Sequence, residues 1–373
     1  LAMFLVGLGS VSGYFACLKA VAVNFPNHKG LAQSVTIASF AISALIFLVL
    51  LKSLDDTGHF LVLLSAACTV LAFAGFVYIR VEGHIDNEDT QDEGLAHDIR
   101  EEYECFAEET AVNTPTTTSL IEEQRLLGPL SEADARLKNA SQLSSRLSLK
   151  KLTLKQSLKH PIFWYHYGIF SITQGFGQMY IYSVGFILKA IHLYYLQKEI
   201  NEGGPEVTLD LRTLQTIHVS IVAVSSFLGR LTSGPVSDLV AHHGYQRHWM
   251  LILGSSLMIA GHLFNLVDIG ATFDDIGGAN TFLLLVSLII GFAYGFTFTC
   301  YPVIVSDLFS MKNYSVIWGC IYTSTTLGLT LMSKIFGHVY DKNSQYDNGQ
   351  YVCEIGSKCY SETFIYTSAL NVL

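Results

Sequence analysis

The stretch Thr281-Phe282-Leu283-Leu284-Leu285-Val286-Ser287-Leu288-Ile289-Ile290-Gly291-Phe292-Ala293-Tyr294-Gly295-Phe296-Thr297-Phe298-Thr299-Cys300-Tyr301-Pro302-Val303-Ile304-Val305-Ser306 carries no charged side chain. Wound as a helix it is about 39 Å long, more than the roughly 30 Å of a bilayer's hydrocarbon core. In lipid only a helix or a closed barrel satisfies its own backbone polar groups, so the run reads as a membrane-spanning helix. Working outward, comparable runs cover 1–24, 31–51, 60–80, 162–190, 213–235, 249–267 and 316–338, and another begins near Phe364. The chain therefore reads as an all-α, polytopic membrane protein with eight complete spans and part of a ninth. Its composition agrees: 50% apolar and 14% charged, with a mean hydropathy of +0.39, outside the balance of a soluble domain. Leu1 already lies in one apolar run and Leu373 in another, so the chain is expected to continue at both ends.

Most of the net charge of −9 sits in one place, since residues 82–159 hold 16 acidic and 9 basic side chains. This insert divides the chain into 1–81, 82–159 and 160–373. Its first part, Glu82 to Glu123, is acidic, and its second, Gln124 to Lys159, is basic and Ser-rich. Such composition predicts a disordered linker. Arg146, Lys150, Lys151, Lys155 and Lys159 precede the span at 162–190 closely enough to place the linker in the cytosol. Thr114–Ser119 and Ser141–Ser148 read either as kinase targets or as ordinary linker composition. Asn139-Ala140-Ser141 and Asn313-Tyr314-Ser315 match the glycosylation pattern but fall on the cytosolic side, where they are expected to stay bare. Basic residues form no stripe that could neutralise phosphates, which excludes nucleic acid as a partner. No nucleophile–base pair, metal cluster or phosphate loop is visible, so neither an enzyme nor a cofactor or metal is expected.

A faint repeat links two spans. Cys17-Leu18-Lys19-Ala20-Val21-Ala22-Val23-Asn24-Phe25 closes a Gly-rich run before Pro26-Asn27-His28-Lys29-Gly30, and Cys300 to Phe309 does likewise before Ser310-Met311-Lys312-Asn313. Related halves on either side of a linker are a common plan of secondary transporters.

Gly229-Arg230-Leu231-Thr232-Ser233-Gly234-Pro235-Val236-Ser237-Asp238 resembles the signature of the major facilitator superfamily. The resemblance implies two pseudo-symmetric six-helix bundles, with the visible spans counting as the fourth to twelfth helices and the first three lying outside this sequence. It also implies a gate, in which Gly229 and Gly234 permit close helix approach while Asp238 meets a helix N-terminus or an arginine. Arg230 and Arg247 are the basic members of that motif here. The usual basic residue directly after the Asp is absent, so Arg247 is expected to lie out of reach and the latch to be weak. A closer similarity is to nodulin-like proteins and fungal monocarboxylate-transporter homologues. It is carried by Asn24 to Gly30, by Gly291-Phe292-Ala293-Tyr294-Gly295 with Lys312-Asn313-Tyr314, and by Tyr340-Asp341 followed by Cys353, Cys359 and Tyr360. It implies a fold and a general transport activity, in a vacuolar or plasma membrane, but no ligand; the substrate stays unassigned, with a carboxylate or amino-acid-like metabolite as the expectation and a monomer as the working form. The competing reading is a non-transporting sensor on the same fold.

Within 162–190, Tyr167, Ser171, Gln174, Gln178, Tyr182, Gly185 and Lys189 recur every three or four residues and share one helix face. A polar stripe in a membrane helix faces protein or water. It reads as cavity lining, with Gly175 and Gly177 able to unwind the helix, or as hydrogen bonding between helices. By the family resemblance Tyr294, Thr297 and Tyr301, with Ser10 and Tyr14 among Gly7, Gly9 and Gly13, complete the cavity. Lys19 is a candidate for an anionic substrate, or it snorkels to the cytosolic surface, and Lys189 and Lys334 share that second reading. His218 and His262 are candidates for coupling protons, or are tied up between helices. No Asp or Glu stands in mid-span, and the 213–235 span lacks the mid-membrane Asp and Arg pair of true monocarboxylate transporters, so lactate–proton symport is not expected. Cys353 and Cys359, on the side opposite the linker, are expected to form a disulfide.

Overall fold

A computed structural model of the protein describes residues 2–53, 57–79, 149–202, 210–347 and 350–372. Each expected span corresponds to a helix: α1 (Ala2–Asn24), α2 (Lys29–Ser53), α3 (Thr57–Tyr78), α5 (Pro161–Glu202), α6 (Leu211–His242), α7 (His248–Phe264), α9 (Ile276–Leu308), α10 (Tyr314–Lys342) and α11 (Ser361–Val372). Short helices α4 (Leu154–Lys159) and α8 (Ile269–Thr272), a hairpin of β1 (Gln345–Asp347) with β2 (Gln350–Val352), and 3-10 turns at Pro26–His28 and Gly356–Cys359 complete the described elements. Among these residues α3, α5, α6, α9 and α10 are individually long and apolar enough to cross a bilayer. Helices α1 and α2 meet at 110° across the Pro26–His28 turn and satisfy that test as a pair. The repeat seen in sequence is a repeat of form, because α1 and α9 both close at the corresponding point and hand over through a short turn to α2 and α10.

Two helices outrun their expected limits. Helix α5 has 42 residues, about 63 Å at 1.5 Å per residue, so its last turns project beyond the hydrocarbon core. Helix α6 continues through Pro235 to His242. The Asp210 side chain caps its start by accepting from the Thr213 amide at 3.3 Å, as Asp275 caps α9 by accepting from Gly278 at 3.0 Å.

The expected disorder of the whole 82–159 linker does not extend to its end. Leu149 is buried, and Leu152, Leu154 and Leu158 pack against the core. Thr153 and Gln156 form a capping box that opens α4. Alternation of leucine with lysine gives this segment an apolar side to bury, which the acidic part lacks. Residues 80–148, with Arg146, Asn139 and the Thr114–Ser119 and Ser141–Ser148 runs, lie outside the described residues.

Two clusters form the interior. One, from α5, α6, α9, α10 and α11, contains Phe176, Tyr180, Ile290, Met332 and Phe364. The other joins α1 and α2 to the later helices through Leu18, Ala22, Ile37, Phe170, Tyr301, Tyr314 and Trp318. The second lies toward the end where α4 meets α5, the linker end. At the opposite end, Cys353 and Cys359 are bonded, with Cα atoms 6.1 Å apart. Cys359 and Tyr360 are buried in the first cluster, and burial pushes the Tyr360 phenol up from its ordinary range. Ser357 donates to Asp268 Oδ1 at 3.1 Å and Asn343 Nδ2 to the Lys358 carbonyl at 3.1 Å, so the loop is clasped from both sides.

Replacing both bridging cysteines, Cys353→Ala with Cys359→Ala, should cost about 2 kcal/mol for so short a loop, or a melting temperature lower by about 5 °C. Thermal unfolding of purified protein checks it, and reductant should lower the parent but not the variant.

Candidate functional site

At the linker end α6 would run out into solvent at His242, but Gly244 takes a left-handed φ of 78° and reverses the chain. The Tyr245 amide returns to the Val240 carbonyl at 3.1 Å, and Arg247, at the start of α7, is carried back beneath the last turns of α6. Its Nη1 lies 2.8 Å from Asp238 Oδ1 and 2.7 Å from Ser237 Oγ, and its Nε lies 2.8 Å from Asp307 Oδ2. Arg247 is therefore within reach of Asp238, contrary to the expectation from linear spacing, because the positive-φ glycine folds the intervening residues into a tight turn.

Asp238 also closes a contact across the molecule. Its Oδ1 accepts from the Gly30 amide at 2.9 Å and its Oδ2 from the Leu31 amide at 2.8 Å. These are unpaired donors of the first turn of α2, where the helix dipole favours a carboxylate. A Cβ on Gly30 would sit 2.6 Å from the Gly234 carbonyl oxygen, and one on Gly234 would strike the Gly30 carbonyl. Both glycines are thus required for the backbones to touch. The latch is strong: one carboxylate, 13% exposed in its side chain, is bound by a helix end and a guanidinium.

Arg230 is not part of it. It stands eight residues before Asp238 on α6, about 12 Å deeper along the axis, and is 7% exposed. Its guanidinium carbon lies 4.8 Å from the centroid of Phe298 and 5.9 Å from that of Tyr294. Among the described residues no group bonds Nε or Nη1 and no carboxylate pairs with it. Helix α6 thus carries a buried arginine with no acid beside it among those residues. The Tyr14 phenol of α1 comes within electrostatic reach of Arg230, Tyr294, Tyr322 and Trp318, and Tyr314 lies within reach of Tyr14. The hydroxyls of Tyr14 and Tyr314 and the indole nitrogen of Trp318 are buried without a hydrogen bond of regular geometry, Tyr14 and Trp318 lying close enough to interact with each other. Helices α1, α6, α9 and α10 thus turn one cation and several unused donors toward a single aromatic-walled place. Trp318, Tyr314 and Tyr322 are not among the cavity residues expected from sequence; their signal is an aromatic at every fourth position from Tyr314 to Tyr322, indistinguishable from core packing.

The α5 stripe divides. Ser171 donates to the Ser324 carbonyl at 2.9 Å, Tyr167 and Thr323 hydroxyls are 3.4 Å apart, and Gln174 donates to Thr297 Oγ1 at 3.1 Å. These tie α5 to α10 and α9. Helix α5 is continuous through Gly175 and Gly177, which instead admit Gly328 and the Tyr294 ring. Gln178 is half-buried and Tyr182 is 67% exposed. Tyr294 belongs to the Arg230 site, whereas Tyr301, on the same face of α9, is fully buried with its ring 4.5 Å from Phe170. The difference is depth, since at Tyr301 the helices have already converged.

Lys19 reaches the linker end, its Nζ 3.5 Å from the Lys312 carbonyl, and is not near Arg230. His218 holds Ser287 at 2.8 Å and Asn280 at 3.0 Å, and Ser287 continues to Tyr180 at 2.8 Å. His262 meets Thr367 at 3.3 Å between the rings of Phe176 and Phe364. Both imidazoles act as ties between helices. Among the described residues no group of three His, Cys, Asp or Glu could hold a metal ion.

Asp238→Ala should release α2 from α6, so a cysteine placed at the fully buried Gln33 should react with an impermeant maleimide about tenfold faster, the loss of roughly 1.4 kcal/mol or more from a charge-assisted contact. Asp307→Asn, which leaves the α2 contact intact, should change it much less.

The sequence profile described as the Major Facilitator Superfamily matches residues 1–333. An uncharacterized membrane protein of Saccharomyces cerevisiae is 27% identical over all of this chain and 75% of its own length. A protein named "Probable transporter mch1" from Neurospora crassa is 24% identical over 97% of this chain and 66% of its own. A like-named protein from Yarrowia lipolytica is 30% identical over 40% of this chain and 30% of its own. This chain thus spans between about a third and three quarters of these relatives. With nearly nine-tenths of its length matched by that profile, the chain belongs to the Major Facilitator Superfamily.

Proposed function

We propose that this protein is a secondary transporter that carries a small organic anion across a membrane by alternating access, with Arg230 as the group that recognises the charge. The observation that carries the reading is the unpaired, buried guanidinium. A lone charge at that depth costs several kcal/mol, only part of which the faces of Phe298 and Tyr294 offset. An anionic ligand supplies the missing partner. The unused groups around it, the hydroxyls of Tyr14 and Tyr314 and the indole N–H of Trp318, can all donate to a carboxylate. The charge of Arg230 itself is what favours an anionic group in the solute. The names of the fungal relatives as probable transporters support transport rather than catalysis.

In the same reading residues 1–81 and 160–373 are two helical bundles joined by the cytosolic linker 82–159, and the protein works as a monomer. The Asp238 latch closes the linker end, so the solute enters from the disulfide end. His218 and His262 stand apart from the site and no coupling proton is assigned to them.

Proteoliposomes containing the purified full-length protein, offered a mixture of labelled carboxylates, amines and neutral metabolites, should accumulate the carboxylates alone. Arg230→Gln should lower that uptake at least about a hundredfold, the equivalent of some 3 kcal/mol, with the melting temperature unchanged or raised. Arg230→Lys should retain a measurable fraction. Equal uptake by Arg230→Gln would overturn the reading.

A further inference from the structure

The sequence has no Asp or Glu between Asp134 and Glu199, while Lys150, Lys151, Lys155 and Lys159 fall within that interval just before α5. The structure fixes where they go. Residues Leu149, Leu152, Leu154 and Leu158 seat the segment 149–160 on the core near α5 and α10. Lys151, Lys155 and Lys159 are all exposed, and Lys155 and Lys159 lie one turn apart on α4.

Their level relative to the bilayer is marked independently. Trp164 and Tyr165, in the first turn or so of α5, are 58% and 66% exposed. Tyr245 and Trp249, beside the start of α7, are 66% and 60% exposed. Exposed Trp and Tyr at helix ends lie at the depth of the lipid headgroups. The lysines therefore stand beside the headgroup layer, where long aliphatic stems let ammonium groups meet phosphate.

We propose that Lys151, Lys155 and Lys159 form a binding surface for anionic phospholipid headgroups, held at the bilayer surface by the leucine side of the same segment. The acidic part of the linker offers the same charge. A bilayer, however, is already at this level, whereas a flexible peptide must lose conformational freedom to bind. Juxtamembrane lysines attract anionic lipid additively, so three in a docked segment select it over zwitterionic lipid.

The test uses the full chain with Trp249→Phe, reconstituted in phosphatidylcholine vesicles that contain either brominated phosphatidylserine or brominated phosphatidylcholine at equal mole fraction. Trp164 then reports the lipid beside the lysines, because Trp318 is fully buried. Brominated phosphatidylserine should be preferred at Trp164 by roughly threefold or more. The variant with Gln at 151, 155 and 159 should show no preference, and the variant with Arg at all three should keep it, which separates charge from folding. Equal quenching by the two lipids in the parent, or a preference that survives in the Gln variant, would overturn the proposal. A preference that emerges only after deletion of 82–123 would overturn it too, by assigning the lysines to the acidic linker.

Discussion

Asp238 is a carboxylate at the end of α6 that three groups claim: two amides of α2, more than two hundred residues earlier in sequence, and one guanidinium from the turn that follows, which also holds Asp307 of α9. The arrangement works because each charge is partly shielded and each is answered. A carboxylate at this burial without partners would cost more than its bonds return. With a helix N-terminus on one side and Arg247 on the other, it ties the early helices to the late ones at a single point. The aromatic cluster of Phe298, Trp318 and Tyr322 includes the ring on which Arg230, eight residues before Asp238 on α6, rests.

Latch and site therefore share a helix. Arg230 and Asp238 are two turns apart on α6, and α6 is pressed against α9 so closely that a Cβ on Gly229 would strike the Phe292 carbonyl and one on Gly295 the Ser226 carbonyl. Helices with interlocked backbones move as a unit. Any motion that withdraws Asp238 from α2 also carries Arg230, Tyr294 and Phe298 away from Tyr14 of α1. In the proposed cycle, opening the linker end and dismantling the anion site are thus one displacement, as alternating access demands. The polar ties of α5, from Ser171 to α10 and Gln174 to Thr297, stay within the moving group, which explains why the most regular polar stripe in the sequence is structural for much of its length.

Much of the fold was legible because lipid as a solvent leaves few options. Runs such as 281–306 must be helices, and their starts and ends fell within a few residues of expectation except where α5 leaves the membrane and where α6 ignores Pro235. The site was legible only in part. The sequence reading took Tyr14, Tyr294 and Tyr301 as cavity lining and Arg230 as part of the gating motif, whereas the structure sets Arg230 against Phe298 and Tyr294, with Tyr14 in reach, and packs Tyr301 on Phe170. One-dimensional spacing records that Arg230 and Asp238 are neighbours, but not that one packs on the rings of Phe298 and Tyr294 while the other meets the start of α2. The reach of Arg247 was misjudged for a related reason: nine residues separate it from Asp238 along the chain, and only the left-handed turn at Gly244 brings it back.

By itself, the sequence determined the class of solvent, the helical architecture, the division by a charged insert and the presence of the motif, all of which follow from residue composition and the period of a helix. Tertiary structure alone decided which polar residues are spent on holding helices together and which are left over. That decision depends on distances between segments hundreds of residues apart, since a buried donor becomes a binding group only if no neighbour has already taken it. Arg230 is such a donor, and nothing in its immediate sequence distinguishes it from an arginine that has found its carboxylate.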